Sequence, residues 1–143
     1  MDVALEEARA AAARGEVPVG AVVVDANGTV LAQAGNRTLE LHDPTAHAEV
    51  LVLRTAAAAL GNERLIECDL YVTLEPCAMC AGAISFARIR RLYFGASDTK
   101  GGAVEHGARF FGQPTCHHAP EIYGGIGESA AASLLKGFFA ARR

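Results

Sequence analysis

The sequence predicts a three-layer α/β domain in which helices cover both faces of a mixed sheet. Three observations lead there. Short β-branched apolar runs alternate along the chain with Ala- and Leu-rich segments of helical period, and the first two strands are joined by a tight turn. The 143 residues are 51% hydrophobic and 20% charged, the make-up of an ordinary globular protein about one domain long. A chain of this size buries roughly 68 to 70% of its unfolded surface, so a hydrophobic core supports the fold without disulfides. One domain over residues 1–143 is expected.

Each element has its own signal. Val3, Leu5, Ala8 and Ala10 to Ala13, set among Glu and Arg, predict an amphipathic helix stopped at Gly15, with Pro18 beyond it. Val19 to Val24 is a short apolar run, and Asp25-Ala26-Asn27-Gly28 turns it into a second strand over Thr29 to Ala34. Gly35 to Thr45 is polar and turn-prone, a loop leading into a helix over Ala46 to Leu60 that Gly61-Asn62 ends. Leu70 to Leu74 is a strand bounded by Asp69 and Pro76, Cys77 to Ala87 a short helix, and Arg91 to Ala96 another strand. Ser97 to Gly127 has no clear period and is expected to be mostly irregular, with room for one short element. Leu134, Leu135, Phe138 and Phe139 then mark a last helix over Ala130 to Ala140, closed by Arg142 and Arg143.

Charge and composition exclude several classes. The apolar runs fall well below the ~20 residues of a membrane span. The start, Met1-Asp2-Val3-Ala4-Leu5-Glu6-Glu7, is acidic where a secretory signal is positive, so a cytoplasmic protein is expected. A net charge of −3 argues against coating nucleic acid by bulk attraction. The distribution is uneven: residues 1–75 hold 12 acids and 5 arginines, residues 76–143 hold 4 acids and 8 lysines or arginines. Arg88, Arg90 and Arg91, then Lys100 and Arg109, then Lys136, Arg142 and Arg143 form either a phosphate-binding face or ordinary solvated charges.

The chemistry concentrates in His47-Ala48-Glu49 and Pro76-Cys77-Ala78-Met79-Cys80. Cys77 and Cys80 lie three apart, about 60° on a helix, and can grip one ion. A helix starting at Pro76 favours their thiolates through its free N–H groups and dipole. With the His47 imidazole they form a nitrogen-and-sulfur set that selects zinc and leaves a fourth tetrahedral position to water. Glu49 is about 200° from His47 on a helix, so it is expected off the metal yet bordering the same pocket, where a carboxylate serves as proton shuttle. The alternatives are a closed structural zinc site with Cys68 or Cys116 as fourth ligand, and a redox Cys-x-x-Cys pair.

This His-x-Glu followed by Pro-Cys-x-x-Cys resembles the zinc-dependent nucleoside and nucleobase deaminases. Within that superfamily the chain is most similar to the bacterial tRNA-specific adenosine deaminases. The likeness runs over Glu16 to Val22 (EVPVGAV), Gly35-Asn36-Arg37, His42 to Glu49 (HDPTAHAE), Tyr71 to Gly82 (YVTLEPCAMCAG), Phe94 to Asp98 and Leu134 to Arg143, while residues 102–123 depart from the pattern. The resemblance implies a cytidine-deaminase-like α/β/α sandwich, one zinc per subunit held by His47, Cys77 and Cys80, and Glu49 as general acid and base. It implies hydrolytic deamination of adenosine to inosine at the wobble position of a tRNA anticodon stem-loop, by a homodimer. Asn36 matches a base-binding position and Asp98 one near the ribose; a turn residue and a cap or loop acid are their plain readings. The rivals are deamination of a free base or nucleoside and a non-enzymatic zinc-stabilised binding module.

Lesser signals stay with structure. Cys116-His117-His118 are too close in sequence to converge readily on one ion and are expected to pack in a loop or interface. Cys68 is expected to be a small buried residue. His42 either touches RNA or bonds Asp43 and the backbone. Phe138 and Phe139 divide between core packing, the favoured reading for at least one of them, and stacking on a base.

Overall fold

A computed structural model of the chain describes residues 1–142; Arg143, counted above among the late basic residues, lies outside the described residues. Helix α1 (Asp2–Ala13) is followed by β1 (Gly20–Val24), β2 (Val30–Gly35), α2 (Ala48–Leu60), β3 (Asp69–Leu74), α3 (Ala78–Phe86), β4 (Arg91–Ala96), β5 (Glu121–Tyr123) and α4 (Glu128–Ala140). The strands form one sheet in the order β2-β1-β3-β4-β5. Strand β1 pairs antiparallel with β2 and β3, whereas β3, β4 and β5 run parallel, so the sheet is mixed as expected.

The hairpin is made by Asp25. Its carboxylate accepts the N–H groups of Asn27 and Thr29, and Gly28 takes φ +81°, a backbone state that a side chain resists. Alternation along the strands sorts residues to two faces. Ala21, Val23, Leu70, Val72, Leu92 and Phe94 point into a core completed by Val52, Leu53 and Ala56 of α2 and Ile84 of α3. The opposite face receives α1 and α4, with Leu5, Ala96 and Ala131 buried together. Close approach on that side needs glycine: a Cβ at Gly20 would run into the Ala4 carbonyl and the Ala8 N–H group of α1. The result is the three-layer α/β/α sandwich.

Two short elements occupy the stretch expected to be irregular with room for one. A single 3₁₀ turn spans Phe110–Gly112, and β5 adds a parallel edge strand. Three residues are too few to show a period, and β5 is recognisable only in place. Register sets Tyr123 beside Tyr93 and Tyr93 beside Tyr71, and the three rings stack with centroids 5.1 and 4.4 Å apart. Among the described residues no helix is long and apolar enough to cross a membrane.

Candidate active site

The pairing brings four chain segments to one end of the sheet. Gly20 at the start of β1 faces Gly35 at the end of β2, Ala21 faces Val72 in β3, and Leu74 faces Ala96 at the ends of parallel β3 and β4. The segments leaving β2, β3 and β4 are those that carry Asn36, Cys77 and Asp98. A cavity of about 270 Å³ lies there, lined among others by Asn36, His47, Glu49, Glu75, Cys77 and Asp98. A larger hollow of about 550 Å³ between α2 and α3 holds Phe86, Arg54 and Arg88 but none of these groups.

Two helix starts supply the metal donors. His47 is the residue before α2 and Cys77 the residue before α3, both in extended backbone, and neither side chain caps its helix. The imidazole and thiol are thus free, while the positive end of each helix favours negative charge beside it. Cys80 is one turn into α3 and wholly buried. His47 Nδ1 is 3.7 Å from Cys77 Sγ and 3.4 Å from Cys80 Sγ. A tetrahedral zinc with Zn–S of about 2.3 Å and Zn–N of about 2.0 Å needs sulfur and nitrogen about 3.5 Å apart, so the donor set fits the ion. Among the described residues neither Cys68 nor Cys116 joins the group, which removes the closed site. Cys68 is buried in the core, and Cys116 lies against the Ser85 hydroxyl at 3.5 Å.

The electrostatics agree with a cation site. The Cys80 thiol beside it holds the Cys77 thiol well below its ordinary range, against the effect of burial, with help from His47. The Cys77 thiol in turn pushes Cys80 far up, as burial does. The Cys77 side chain also raises the His47 imidazole, with burial opposing. Burial pushes the Glu49 carboxyl up, only partly offset by its backbone N–H group and His47. Glu49 is the second residue of α2, 4% exposed, in the same cavity as His47. His47 stands before α2 in extended backbone rather than in it, so it is not set about 200° from Glu49 as it would be on a regular helix.

Asn36 and Asp98 both line the cavity. Asn36 Oδ1 accepts the Ala48 N–H group at 2.8 Å, so a residue 12 positions upstream caps α2 and its amide nitrogen is left as donor. Asp98 Oδ1 accepts the N–H groups of Lys100 and Gly101, the loop-acid arrangement.

Other expectations change. Arg90 forms two bonds to Asp69 at 3.0 and 2.9 Å, Arg91 pairs with Glu121, and Arg88 lines the hollow between α2 and α3, so these three cations do not border the site. Lys100 and Arg142 do flank it, lining with Phe139 a second cavity that shares Val17, Leu74 and Asp98 with the first. Phe139 is exposed and Phe138 only half-buried beneath the Arg142 guanidinium at 3.4 Å, so neither belongs to the core: helix α4 turns Leu135 and Ala131 inward instead. His42 is exposed at φ +48°. His118 Nε2 donates to the Ile89 carbonyl at 2.7 Å and its own carbonyl accepts the Ser85 hydroxyl at 2.7 Å, which fixes the segment to the end of α3.

Two buried carboxylates escaped the sequence reading. Glu16 accepts the N–H groups of Leu39 and Glu40 and the Thr38 hydroxyl; burial pushes its carboxyl up, but these donors outweigh it and hold it below the usual range. Glu75 accepts the N–H groups of Asp98, Val104, Glu105 and His106, and its net shift is likewise downward against burial. Their only sequence signal was an acid inside an otherwise apolar motif, EVPVGAV and YVTLEPC.

Residues 1–96 match the cytidine and deoxycytidylate deaminase zinc-binding region, and the chain belongs to that family. Along its whole length it is 64% identical, over 143 residues and 93% of the relative, to the tRNA-specific adenosine deaminase of Agrobacterium fabrum. A structure from studies of A-to-I editing by tRNA:A34 deaminases at the wobble position of transfer RNA superposes with a TM-score of 0.93 at 66% identity, covering 94% of this chain and 97% of that one. A guanine deaminase from Nitrosomonas europaea superposes at 0.78 with 27% identity, covering 97% of this chain and 82% of that one.

Proposed function

We propose that this chain is a zinc-dependent hydrolase that converts adenosine to inosine at the wobble position of a tRNA anticodon loop. The observation that carries the chemistry is the meeting of His47, Cys77 and Cys80 with the buried carboxylate of Glu49 at one cavity. The similarity over all 143 residues to a tRNA-specific adenosine deaminase supports the substrate.

His47, Cys77 and Cys80 would hold the metal. Zinc bound there supplies the Lewis acidity that makes a water nucleophilic near neutral pH. Glu49 takes one proton from the attacking water and passes it to the ring nitrogen beside C6 as the oxygen adds, then takes the remaining proton from the new C6 hydroxyl and gives it to the departing amine. The C6–O bond forms, the C6–N bond breaks, and adenosine plus water becomes inosine plus ammonia. Burial suits Glu49 to this work, since a carboxyl raised above its ordinary range holds a proton more readily than a free one and can carry it between groups. The free amide N–H group of Asn36 holds the base, and the Asp98 loop forms the wall on the ribose side. A cavity of about 270 Å³ suits a base taken out of its stack rather than a helix.

The same reading makes residues 1–143 one working domain and places it in the cytoplasm with its tRNA as a homodimer; sedimentation at micromolar concentration tests the dimer. The substrate is tested by giving zinc-loaded protein a tRNA with wobble adenosine, the same tRNA with that base changed, free adenosine, free cytidine and free guanine. Inosine is expected from the first alone. Turnover of a free base or nucleoside with the tRNA untouched would overturn the RNA assignment and favour the chemistry of the guanine deaminase neighbour.

A further inference from the structure

We propose that Glu75 and His106 are positioning residues for the substrate, a clamp that sets the cavity wall carrying Asp98 and Gly101. This rests on reading the cavity as the adenosine site. The Glu75 side chain is completely buried, and its two oxygens take five partners. Oε1 accepts the Asp98 N–H group at 3.0 Å and meets His106 Nδ1 at 2.8 Å; Oε2 accepts the N–H groups of Val104, Glu105 and His106 at 3.2, 3.0 and 3.1 Å.

Burying a carboxylate is unfavourable unless its oxygens are fully bonded, and an apolar residue would fill the same space without that cost. What the acid does that an apolar residue cannot is gather four backbone N–H groups from a segment with no helix or strand to satisfy them. Those groups come from both ends of residues 98–106, so one side chain closes the whole wall. Gly102 is shaped for it: a Cβ there would stand 2.5 Å from the Glu75 carboxyl carbon and 2.5 Å from the Asp98 carbonyl oxygen. Asp98 is thus fixed twice, its N–H group by Glu75 and its carboxylate by the N–H groups of Lys100 and Gly101.

His106 is the adjustable half. It lies in the stretch that departs from the family pattern, its side chain is 34% exposed, and it adds the ring donor that completes the coordination of Oε1. The clamp does not touch the reacting atoms. Its effect is to hold the wall where the substrate needs it, so its loss acts on binding more than on the bond-breaking step.

The test leaves Glu75 in place, because removing a buried acid endangers the fold, and changes His106. His106→Leu removes the ring donor; His106→Asn sets an amide N–H group near the position of Nδ1. Zinc content, kcat and KM for the wobble-adenosine tRNA are measured for both, and for His106→Leu combined with Asp98→Ala. The expected result is a KM about tenfold higher in His106→Leu with kcat within about twofold and zinc retained, since one charge-assisted hydrogen bond is worth a factor of that order. His106→Asn should restore KM to within about twofold of the starting protein. In the Asp98→Ala background the Leu change should have little further effect, because clamp and Asp98 act as one unit. An unchanged KM in His106→Leu, a full additive loss in the double variant, or failure of Asn to rescue would overturn the clamp. If the unaltered protein forms no inosine, the reading of the site falls, and the clamp with it.

Discussion

Asn36 uses the two ends of one amide differently. Its oxygen caps α2 through the Ala48 N–H group, and this orients the amide nitrogen as a donor in the cavity. Asn36→Asp keeps an acceptor for the helix and removes the donor. Stability should stay within about 1 kcal/mol by urea denaturation while KM for the tRNA rises about tenfold or more. Asn36→Ala should lose both, with about 1 kcal/mol of stability from the missing cap. Equal KM values for Asn36→Asp and the unaltered protein would remove the base-holding role. At this scale the meeting of His47, Glu49, Cys77 and Cys80 at one cavity was legible, because residue type and spacing alone mark them as a possible metal and proton-transfer set. Glu16 and Glu75 were not. Their partners are mostly backbone N–H groups 22 to 31 positions away, and no residue type announces a backbone donor.

Between elements, the fit of α1 on the sheet depends on what is missing from Gly20. Gly20→Ala forces a methyl group into the Ala4 carbonyl, and overpacking of this kind costs about 1–3 kcal/mol. A thermal melt should show that loss, together with weaker activity, because β1 opens onto the site at Val19. The loop over residues 38–40 has its own fastener in Glu16, whose folded pKa lies below the ordinary value of 4.5. A carboxyl depressed by folding stabilises fully above that ordinary value and loses the contribution as pH falls through the folded one. The unaltered protein should therefore melt higher than Glu16→Gln near neutral pH, with the gap narrowing below about pH 4.5; a gap that stays constant to pH 3 would contradict the role. Long periodic helices and the Asp25–Gly28 hairpin were readable because their signals are local. Strand β5 was not, since its three residues are held by pairing with β4 and by the tyrosine stack.

At the scale of the molecule, the sheet serves to bring distant positions together. Residues 36, 47 and 77 share one cavity because β1 pairs antiparallel with both β2 and β3, and Asp98 joins them because β3 and β4 end in parallel register. The late basic residues show how poorly sequence proximity foretells surface. Arg90 and Arg91 are spent on Asp69 and Glu121, whereas Lys100 and Arg142, 42 positions apart, flank the site together. The proposed division of roles has three side chains hold zinc and a fourth move the proton. It is tested most directly by measuring bound zinc and inosine formation, on the wobble-adenosine tRNA, in Glu49→Gln and Cys77→Ala side by side. The expected result is full zinc with turnover reduced by about 10²–10⁴-fold or more in Glu49→Gln, and loss of both zinc and turnover in Cys77→Ala. Normal turnover by Glu49→Gln, or full zinc in Cys77→Ala, would contradict it.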